Sequence, residues 1–263
     1  MHTVRVEQAA LNNAVWCDTV CRAHAGPGVF LDDLWINRQP APPSYPNAMT
    51  LTDGRRRAQQ IAHIRDLARA DIPGEWGIKD SFAALALAPL GFRTLFAAQW
   101  IYRPATRSAT AVAVPGIRWV RVRAGAQLAA WESAWSRPSP VDAHADSTRV
   151  FPAALLADRE VAFIAAYRAG HIVAGVIANR TDDVVGISNL FLPATGRQQL
   201  LAGCVAAVVD TFPGLPLVGY EARDQLAAVQ DAGFETLGPL RVWAKRPAAR
   251  RRITRSAPSA RLT

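Results

Sequence analysis

Three apolar runs rich in β-branched residues follow one another near the middle of the chain, over residues 161–168, 171–179 and 184–192. Ala169 and Gly170, between the first two runs, form a two-residue turn of the kind that closes a β-hairpin. A polar turn separates the second run from the third, which ends at Pro193. The pattern predicts an antiparallel meander of three strands.

Further elements are predicted on both sides of this meander. Downstream, helical periodicity and apolar runs predict a helix, a strand, a helix and a last strand, over 198–211, 216–221, 223–232 and 235–245. Upstream, the same criteria predict helices over 12–24, 53–70, 124–136 and 151–156, and strands over 30–36 and 118–123. The loop over 27–47 holds several closely spaced prolines, and we expect it to be a surface connection or the cover of a functional site.

Two segments in different parts of the chain share one pattern. Each has a charged pair, a small-residue element, a Gly-Phe turn and a strand that ends in a tryptophan. The matching residues are Lys79-Asp80, Gly91-Phe92 and Trp100 in the first segment, and Arg223-Asp224, Gly233-Phe234 and Trp243 in the second. The pattern favours a weak internal repeat, with chance similarity in an alanine-rich chain as the alternative.

Composition and charge limit the function classes. Half of the 263 residues are apolar, which excludes a chain that is disordered throughout. Many of the residues behind the net charge of +9 cluster at the end of the chain, so the body is not a basic nucleic-acid platform. We therefore expect two halves, 1–105 and 117–246, joined by a linker within 103–116, and a basic tail over 247–263 that binds nucleic acid only weakly. The arginine and alanine bias is typical of a GC-rich bacterial genome.

The three cysteines are an odd number and do not suggest a disulfide framework. Cys17, Cys21 and His24 fall on one face of the predicted helix over 12–24. They are interpreted as a metal site, as buried thiols beside a helix-terminal histidine, or as the wall of a substrate pocket. The missing fourth ligand favours the second interpretation. Neither a membrane-spanning run nor a secretory signal is evident, so we expect a cytoplasmic protein.

A meander followed by helix, strand, helix and strand, with Val-Val-Gly-Ile-Ser-Asn-Leu-Phe over 184–191 and the pair Gly233-Phe234, resembles the GNAT (GCN5-related N-acetyltransferase) superfamily. The resemblance covers 117–246. It implies an α/β fold with a mixed, largely antiparallel central sheet flanked by helices, here with a degenerate GNAT-like N-terminal half. It also implies acetyl-CoA or another acyl-CoA as co-substrate and a small amine or amino-acid-like acceptor, while homodimer formation is left open.

The resemblance implies sites for both substrates. The CoA pyrophosphate would lie at the start of the helix over 198–211, where unpaired N–H groups and the helix dipole favour an anion. The implied cofactor-binding residues are Leu190, Phe191, Thr195, Gly196, Arg197 and Gln198. A backbone N–H near Ser188, Asn189 or Leu190 would meet the thioester carbonyl. Strand alternation predicts that only one of Ser188 and Asn189 faces the acceptor.

The predicted general base is Glu221, at the end of the strand over 216–221, with Tyr220 beside it. The alternative is that Glu221 only caps the helix that follows. Val229 stands where many GNAT enzymes carry a tyrosine that protonates the leaving thiolate, so Tyr45, Cys17 or solvent would supply that proton. The phosphate loop also lacks the family's glycine-rich run. Both departures favour a non-catalytic GNAT-like binding protein as the alternative, and the basic tail alone suggests a nucleic-acid-associated factor.

Removal of the tail after Arg246 should leave the melting temperature nearly unchanged. The segment lacks apolar periodicity and its arginines repel one another, so we expect it to add little to folding. The truncation should reduce any weak, salt-sensitive binding to polyanions, measured as retention on heparin over a salt gradient. A large drop in the melting temperature would contradict the prediction, because it would require the tail to pack on the body.

Overall fold

One mixed, largely antiparallel sheet of eleven strands forms the centre of the described chain, as predicted. The structure is a computed structural model and describes residues 2–70, 72–107, 114–136 and 149–245. Between neighbouring strands of this described part, only β3–β4 and β9–β10, with the bounds given next, run parallel.

The described strands are β1 (Val29–Phe30), β2 (Leu34–Ile36), β3 (Ala48–Thr50), β4 (Trp76–Asp80), β5 (Arg93–Arg103), β6 (Arg118–Arg121), β7 (Val161–Arg168), β8 (His171–Thr181), β9 (Val184–Phe191), β10 (Leu217–Glu221) and β11 (Glu235–Lys245). The described helices are α1 (His2–Ala23), α2 (Arg57–Ala68), α3 (Gly125–Trp135), α4 (Arg197–Thr211) and α5 (Leu226–Asp231). Short 3-10 helices span Gly54–Arg56, Ala88–Leu90, Ala153–Ala157 and Arg223–Gln225.

The two halves of the chain exchange their last strands. β11, from the C-terminal half, lies between β4 and β5, and β5, from the N-terminal half, lies between β11 and β10. The pairing of β5 with β11 places Ala98 opposite Leu240, and these residues stand at the same separation from Gly91 and Gly233. In both halves a parallel strand pair is joined through a helix, β3–α2–β4 and β9–α4–β10. The repeat is therefore present as a repeated order of elements.

The strand register changes the alignment of the two repeats. Lys79 lies in β4, whereas Arg223 lies in the helical turn that follows β10. β4 pairs with β11, and β10 pairs with β5. In this register Lys79 occupies the position in its half that corresponds to Tyr220 in the other half. The predicted match between the charged pairs at 79–80 and 223–224 is wrong, because similar charges occur at different distances from the strand ends.

Most predicted elements are present with shifted bounds. The predicted helix over 12–24 is the second part of the longer α1, and the predicted strand over 30–36 is two short strands, because the chain turns between β1 and β2. Asp53 caps the helical segment that follows it, and its side chain accepts the Arg55 N–H. β3 is absent from the prediction, since its three residues show no usable pattern. The tail lies outside the described residues, as do 108–113 of the linker and the loop over 137–148.

Helices cover both faces of the sheet. On one face α1 crosses the centre and packs in a buried cluster with Trp100 and Leu240, while α3 packs beside it around Trp131. On the other face α4 packs against the strands of the meander, and α2 packs against β2 and β4. The α1 face also carries a cavity, which residues of α1 help to line.

A buried pair of asparagines holds α1 against the sheet. The Asn12 side-chain amide donates to the Asn179 carbonyl at 3.0 Å, and the Asn179 amide donates to the Asn12 carbonyl at 3.2 Å. Both side chains are almost fully buried. Gly186 lies directly beneath them, and a Cβ atom there would stand 1.9 Å from Asn12 Oδ1. Buried amides are stable only when hydrogen-bonded, so this contact allows one position of α1 on the sheet.

Gly186→Ala should lower the free energy of unfolding by about 1–3 kcal/mol, because the added methyl group overpacks the contact with Asn12. The measurement is a urea unfolding curve. Asn12→Ala removes the colliding atom, so the two substitutions together should cost less than the sum of their separate costs, by about 0.5 kcal/mol or more. If the free-energy costs of the two substitutions simply add, the contact with α1 does not determine the cost of the substitution at Gly186.

Candidate active site

The parallel strands β9 and β10 pair briefly and then separate. Leu217 stands opposite Val185 and Val218 opposite Gly186, and no later pair of these two strands is in register. Gly219 still touches β9, since a Cβ atom there would lie 3.1 Å from the Ile187 carbonyl oxygen. Beyond that point the strand ends diverge. A crevice at the carboxyl ends of parallel strands is a common position for ligands in α/β sheets.

A β-bulge lies in β9 where the strands separate. Ile177 pairs with Ser188 and Gly175 with Phe191, so the register skips Asn189 and Leu190. Asn189 has a φ of 51°, a left-handed conformation that asparagine tolerates better than most residues. The bulge breaks the strand alternation from which only one of Ser188 and Asn189 was predicted to face the acceptor, and both residues line the same cavity.

The cavity beside the bulge has a volume of about 670 Å³. Both halves of the chain build it, together with α1 and the proline-rich loop, which supplies residues 43–46 to the wall. Seven of the twenty described lining residues are aromatic: Trp16, Tyr45, Trp76, Phe96, Trp135, Tyr220 and Trp243. Its polar lining side chains are Asn13, Ser44, Glu75, Lys79, Ser188 and Asn189, beside the Cys17 thiol.

Lys79 is the cationic residue among the described residues that line this cavity. It is only 6% exposed, and its Nζ donates to Asn13 Oδ1 at 2.5 Å and to the Tyr220 hydroxyl at 3.4 Å. The ammonium also lies 4.4 Å from the centre of the Tyr220 ring. Lys79 and Tyr220, which occupy matching positions in the two halves, therefore meet in one site.

Two further cavity residues are candidates for holding a proton. Burial raises the pKa of the Cys17 thiol, although the nearby Lys79 charge opposes the shift. Burial also raises the pKa of Tyr45 well above its ordinary value, and Cys17 adds to that effect. Both groups are therefore protonated at neutral pH. The structure brings both of the proton donors predicted for the N-terminal half into the cavity.

Glu221 lies apart from these groups. It follows Tyr220 in β10 and points to the opposite face of the sheet. There the positive charge of Arg197 acts on its carboxyl group. Burial raises the pKa of its carboxyl group, and Arg197 partly opposes the shift. Glu221 is not among the residues that line the cavity. The structure therefore places Tyr220, Ser188 and Asn189 along one cavity and Glu221 outside it.

The start of α4 fits an anionic group. Gly196 precedes the helix with a φ of 68°, and a Cβ atom there would meet its nearest neighbour only at 3.9 Å. The helix ladder begins with the Leu200 N–H donating to the Gly196 carbonyl, so the N–H groups of 197–199 have no partner within the helix. The buried Nε of Arg197 has no hydrogen-bond partner among the described residues.

The other predicted cofactor-binding residues differ in what they can offer. Thr195 and Gln198 are exposed beside Gly196, with the Gln198 amide donating to the Ala228 carbonyl. The Leu190 side chain is partly buried against the α4 cluster. Phe191 packs edge to face with Trp131. Leu190 and Phe191 would therefore contribute mainly backbone groups.

The cysteine–histidine face of α1 has two different surroundings. Cys17 reaches the cavity, which matches the substrate-pocket interpretation, whereas His24 Nε2 lies 3.0 Å from the Val150 carbonyl oxygen. Cys21 is buried, and burial raises its pKa to about 12. Over 2–70, 72–107, 114–136 and 149–245, no three His, Cys, Asp or Glu side chains are grouped as metal ligands. Sequence reasoning missed Asn13 and Lys79 as site residues, and the available signal was that Lys79 is one of only two lysines in a chain with 30 basic residues.

No family model matches the sequence, and no curated protein matches it. Solved structures do match. A GCN5-related N-acetyltransferase from Kribbella flavida is 14% identical, with 94% of this chain and 96% of that chain covered and a TM-score of 0.59. A GNAT-family protein from Novosphingobium aromaticivorans is 14% identical, with 91% and 99% covered and a TM-score of 0.55.

A tandem GNAT protein from the clavulanic acid biosynthesis pathway is 17% identical, with 82% of this chain and 79% of that chain covered and a TM-score of 0.54. The chain therefore has the GNAT fold, which confirms the fold that the sequence resemblance implied. At sequence identities this low, the structural similarity establishes the fold but not the activity. In the part of the chain that the structure describes, no helix has both the length and the apolar character needed to cross a membrane.

Gly196→Asp should weaken acetyl-CoA binding by more than about tenfold if the start of α4 receives the pyrophosphate, because a carboxylate would face the phosphates. Isothermal titration calorimetry measures the change. Gly214→Asp is the matched control, since Gly214 has a similar φ of 77° in open space after the other end of α4. Equal affinity in both variants would remove the phosphate site from α4.

Proposed function

We propose that this chain is a CoA-dependent N-acyltransferase that transfers an acetyl group from acetyl-CoA to the amine of a small or amino-acid-like acceptor. The observation that supports it is the opening between β9 and β10. A helix N-terminus with Arg197 lies on one side of β10, and an aromatic cavity with Lys79 and Tyr220 lies on the other. The GNAT fold of the chain agrees with this arrangement.

On the nucleotide side, the residues that would hold the phosphates are Thr195 to Gln198. The unpaired N–H groups at the start of α4 would donate to phosphate oxygens, and the positive end of the helix dipole adds to that attraction. Arg197 would supply a positive side chain. Its interaction with Glu221 would then weaken as the phosphates compete for the guanidinium.

On the acceptor side, the amine nitrogen would attack the thioester carbon, so that a C–N bond forms and the C–S bond breaks. Negative charge develops on the carbonyl oxygen, and the backbone N–H groups skipped by the register at Asn189 and Leu190 are the proposed donors to it. The amine loses one proton and the thiolate gains one. We assign the second transfer to the Tyr220 hydroxyl, which lies in the cavity beside the diverging strands.

Glu221 remains the proposed acceptor of the amine proton from the sequence analysis. Because it points away from the cavity, this role would require a water chain around the end of β10. Its raised pKa is compatible with a base that works near neutral pH. The same environment also suits a purely structural role opposite Arg197, and a substitution separates the two.

A non-catalytic binding protein is the second candidate. The supporting observation is Val229, which is buried in the α4 cluster where many GNAT enzymes place a tyrosine. Such a protein would still be stabilised by acetyl-CoA, since a ligand that binds only the folded state raises the melting temperature. It would release no free thiol with any amine acceptor. Thermal shift and thiol release together distinguish the two candidates.

Tyr220→Phe should reduce the acetyl-CoA-dependent release of free thiol by about a hundredfold or more, with acetyl-CoA affinity preserved. The substitution keeps the ring below Lys79 and removes only the hydroxyl proton donor. Tyr102→Phe is the matched control, because Tyr102 also lies under a cation, Arg5, but outside the cavity lining. Full turnover in Tyr220→Phe would exclude the proposed proton transfer.

Glu221→Gln belongs in the same assay. A catalytic base predicts a loss of turnover of about a hundredfold or more with unchanged binding. A structural role opposite Arg197 predicts a small loss of stability and normal turnover.

A further inference from the structure

Lys79 carries a buried charge whose immediate partners are neutral. Its described hydrogen-bond partners are an amide oxygen, from Asn13, and a phenol, from Tyr220. The Tyr220 ring faces the same ammonium. Among the described residues, no carboxylate lies within ion-pairing distance of Lys79 Nζ.

The carboxylates closest to Lys79 along the chain and around the cavity have other partners. Asp80 points away from the cavity and accepts the N–H groups of Ala84 and Leu85. Glu75 lines the cavity but is ion-paired with Arg93 at 2.7 Å. Among the described residues of the site, no acidic side chain forms an ion pair with Lys79.

A buried ammonium without an anion costs free energy, and a charged partner reduces that cost. An ammonium group has three N–H donors, and the two described partners account for two of them. The third donor, together with the charge, suits an anionic ligand that enters the cavity. Asn13 and Tyr220 would hold the ammonium in place while the ligand binds.

The rest of the wall indicates the body of such a ligand. Seven aromatic side chains line the cavity, and three of them, Trp16, Trp76 and Trp243, are nearly buried. Leu95 and Phe96, which also line it, are unusually exposed for large apolar residues, at 50% and 39%. Exposed apolar groups at the edge of a concave site are typical of ligand binding. They favour an aromatic or aliphatic portion on the ligand.

We propose that Lys79 is the anchor for a carboxylate on the acceptor, and that the acceptor is an amine that carries this carboxylate and an apolar or aromatic side chain. The amine part of the assignment rests on the proposed acyl transfer. The carboxylate part rests only on Lys79 and its surroundings. The Lys79 charge also disfavours a protonated amine nearby, which would help to present the amine as the neutral nucleophile.

The first test uses the wild-type protein without CoA. N-acetyl-L-phenylalanine carries the carboxylate, the aromatic group and no amine, and N-acetyl-L-phenylalaninamide differs only in lacking the carboxylate charge. Titration calorimetry should show the acid binding about tenfold to a hundredfold more tightly than the amide, the usual effect of a hydrogen bond to a charged group. Equal affinity of the two compounds would overturn the proposal without any substitution.

The second test uses Lys79→Met, which keeps a long apolar side chain and removes the charge. This variant should bind the acid no more tightly than the amide, while Lys79→Arg should retain the preference. Lys245→Met is the matched control, because Lys245, the only other lysine, bonds to the Leu90 carbonyl and lies outside the cavity lining. A preference for the acid that survives in folded Lys79→Met, checked by its melting temperature, would overturn the proposal.

Failure of the proposed function has a different signature. If the wild-type protein prefers the acid but releases no thiol from acetyl-CoA with any amine, the carboxylate anchor stands and acyl transfer fails. If amines without a carboxylate are acetylated as fast as amines with one, acyl transfer stands and the anchor fails.

Discussion

The site depends first on the buried contact of Asn12 with Asn179 above Gly186. This contact joins α1 to β8 and β9 at the last residue pair before β9 and β10 separate. Because a helix is rigid over one turn, fixing Asn12 also fixes Asn13 and Cys17 at the cavity wall. Asn13 in turn holds the Lys79 ammonium. Gly186, in the C-terminal half, thus determines the position of the Lys79 ammonium, which belongs to the N-terminal half.

The exchange of last strands explains why the cavity needs both halves. β5 and β11 lie side by side at the centre of the sheet, so β4 and β10 flank them on either side. Residues at matching positions, Lys79 and Tyr220, therefore approach each other on the α1 face. Because of the strand exchange, two corresponding positions lie in one site, where one supplies an ammonium group and the other a phenol.

The sequence was sufficient to predict most of the helices and strands, but not the contacts between distant ones. The meander, α4 and the Gly-Phe turns follow from local periodicity and turn residues, which act over a few positions. The bulge at Asn189 depends on the register with β8, so alternation alone placed Ser188 and Asn189 on opposite faces. Lys79 reaches the cavity through a strand exchange between distant segments. Long-range pairing of this kind leaves no periodic signal, and the role of Lys79 could not be predicted from its neighbours.

The two faces of β10 also separate two electrostatic environments. On one face Glu221 is partly buried close to Arg197 and the start of α4, where the helix dipole favours negative charge. On the other face the Lys79 charge has only neutral hydrogen-bond partners among the described residues. Under the proposed function, each face would receive one anion, phosphate beside α4 and carboxylate beside Lys79. The reacting carbonyl would lie between them at the bulge of β9, where neither positive group pairs with it directly. Charge would then serve to place the two substrates, and the backbone N–H groups would stabilise the charge that develops during transfer.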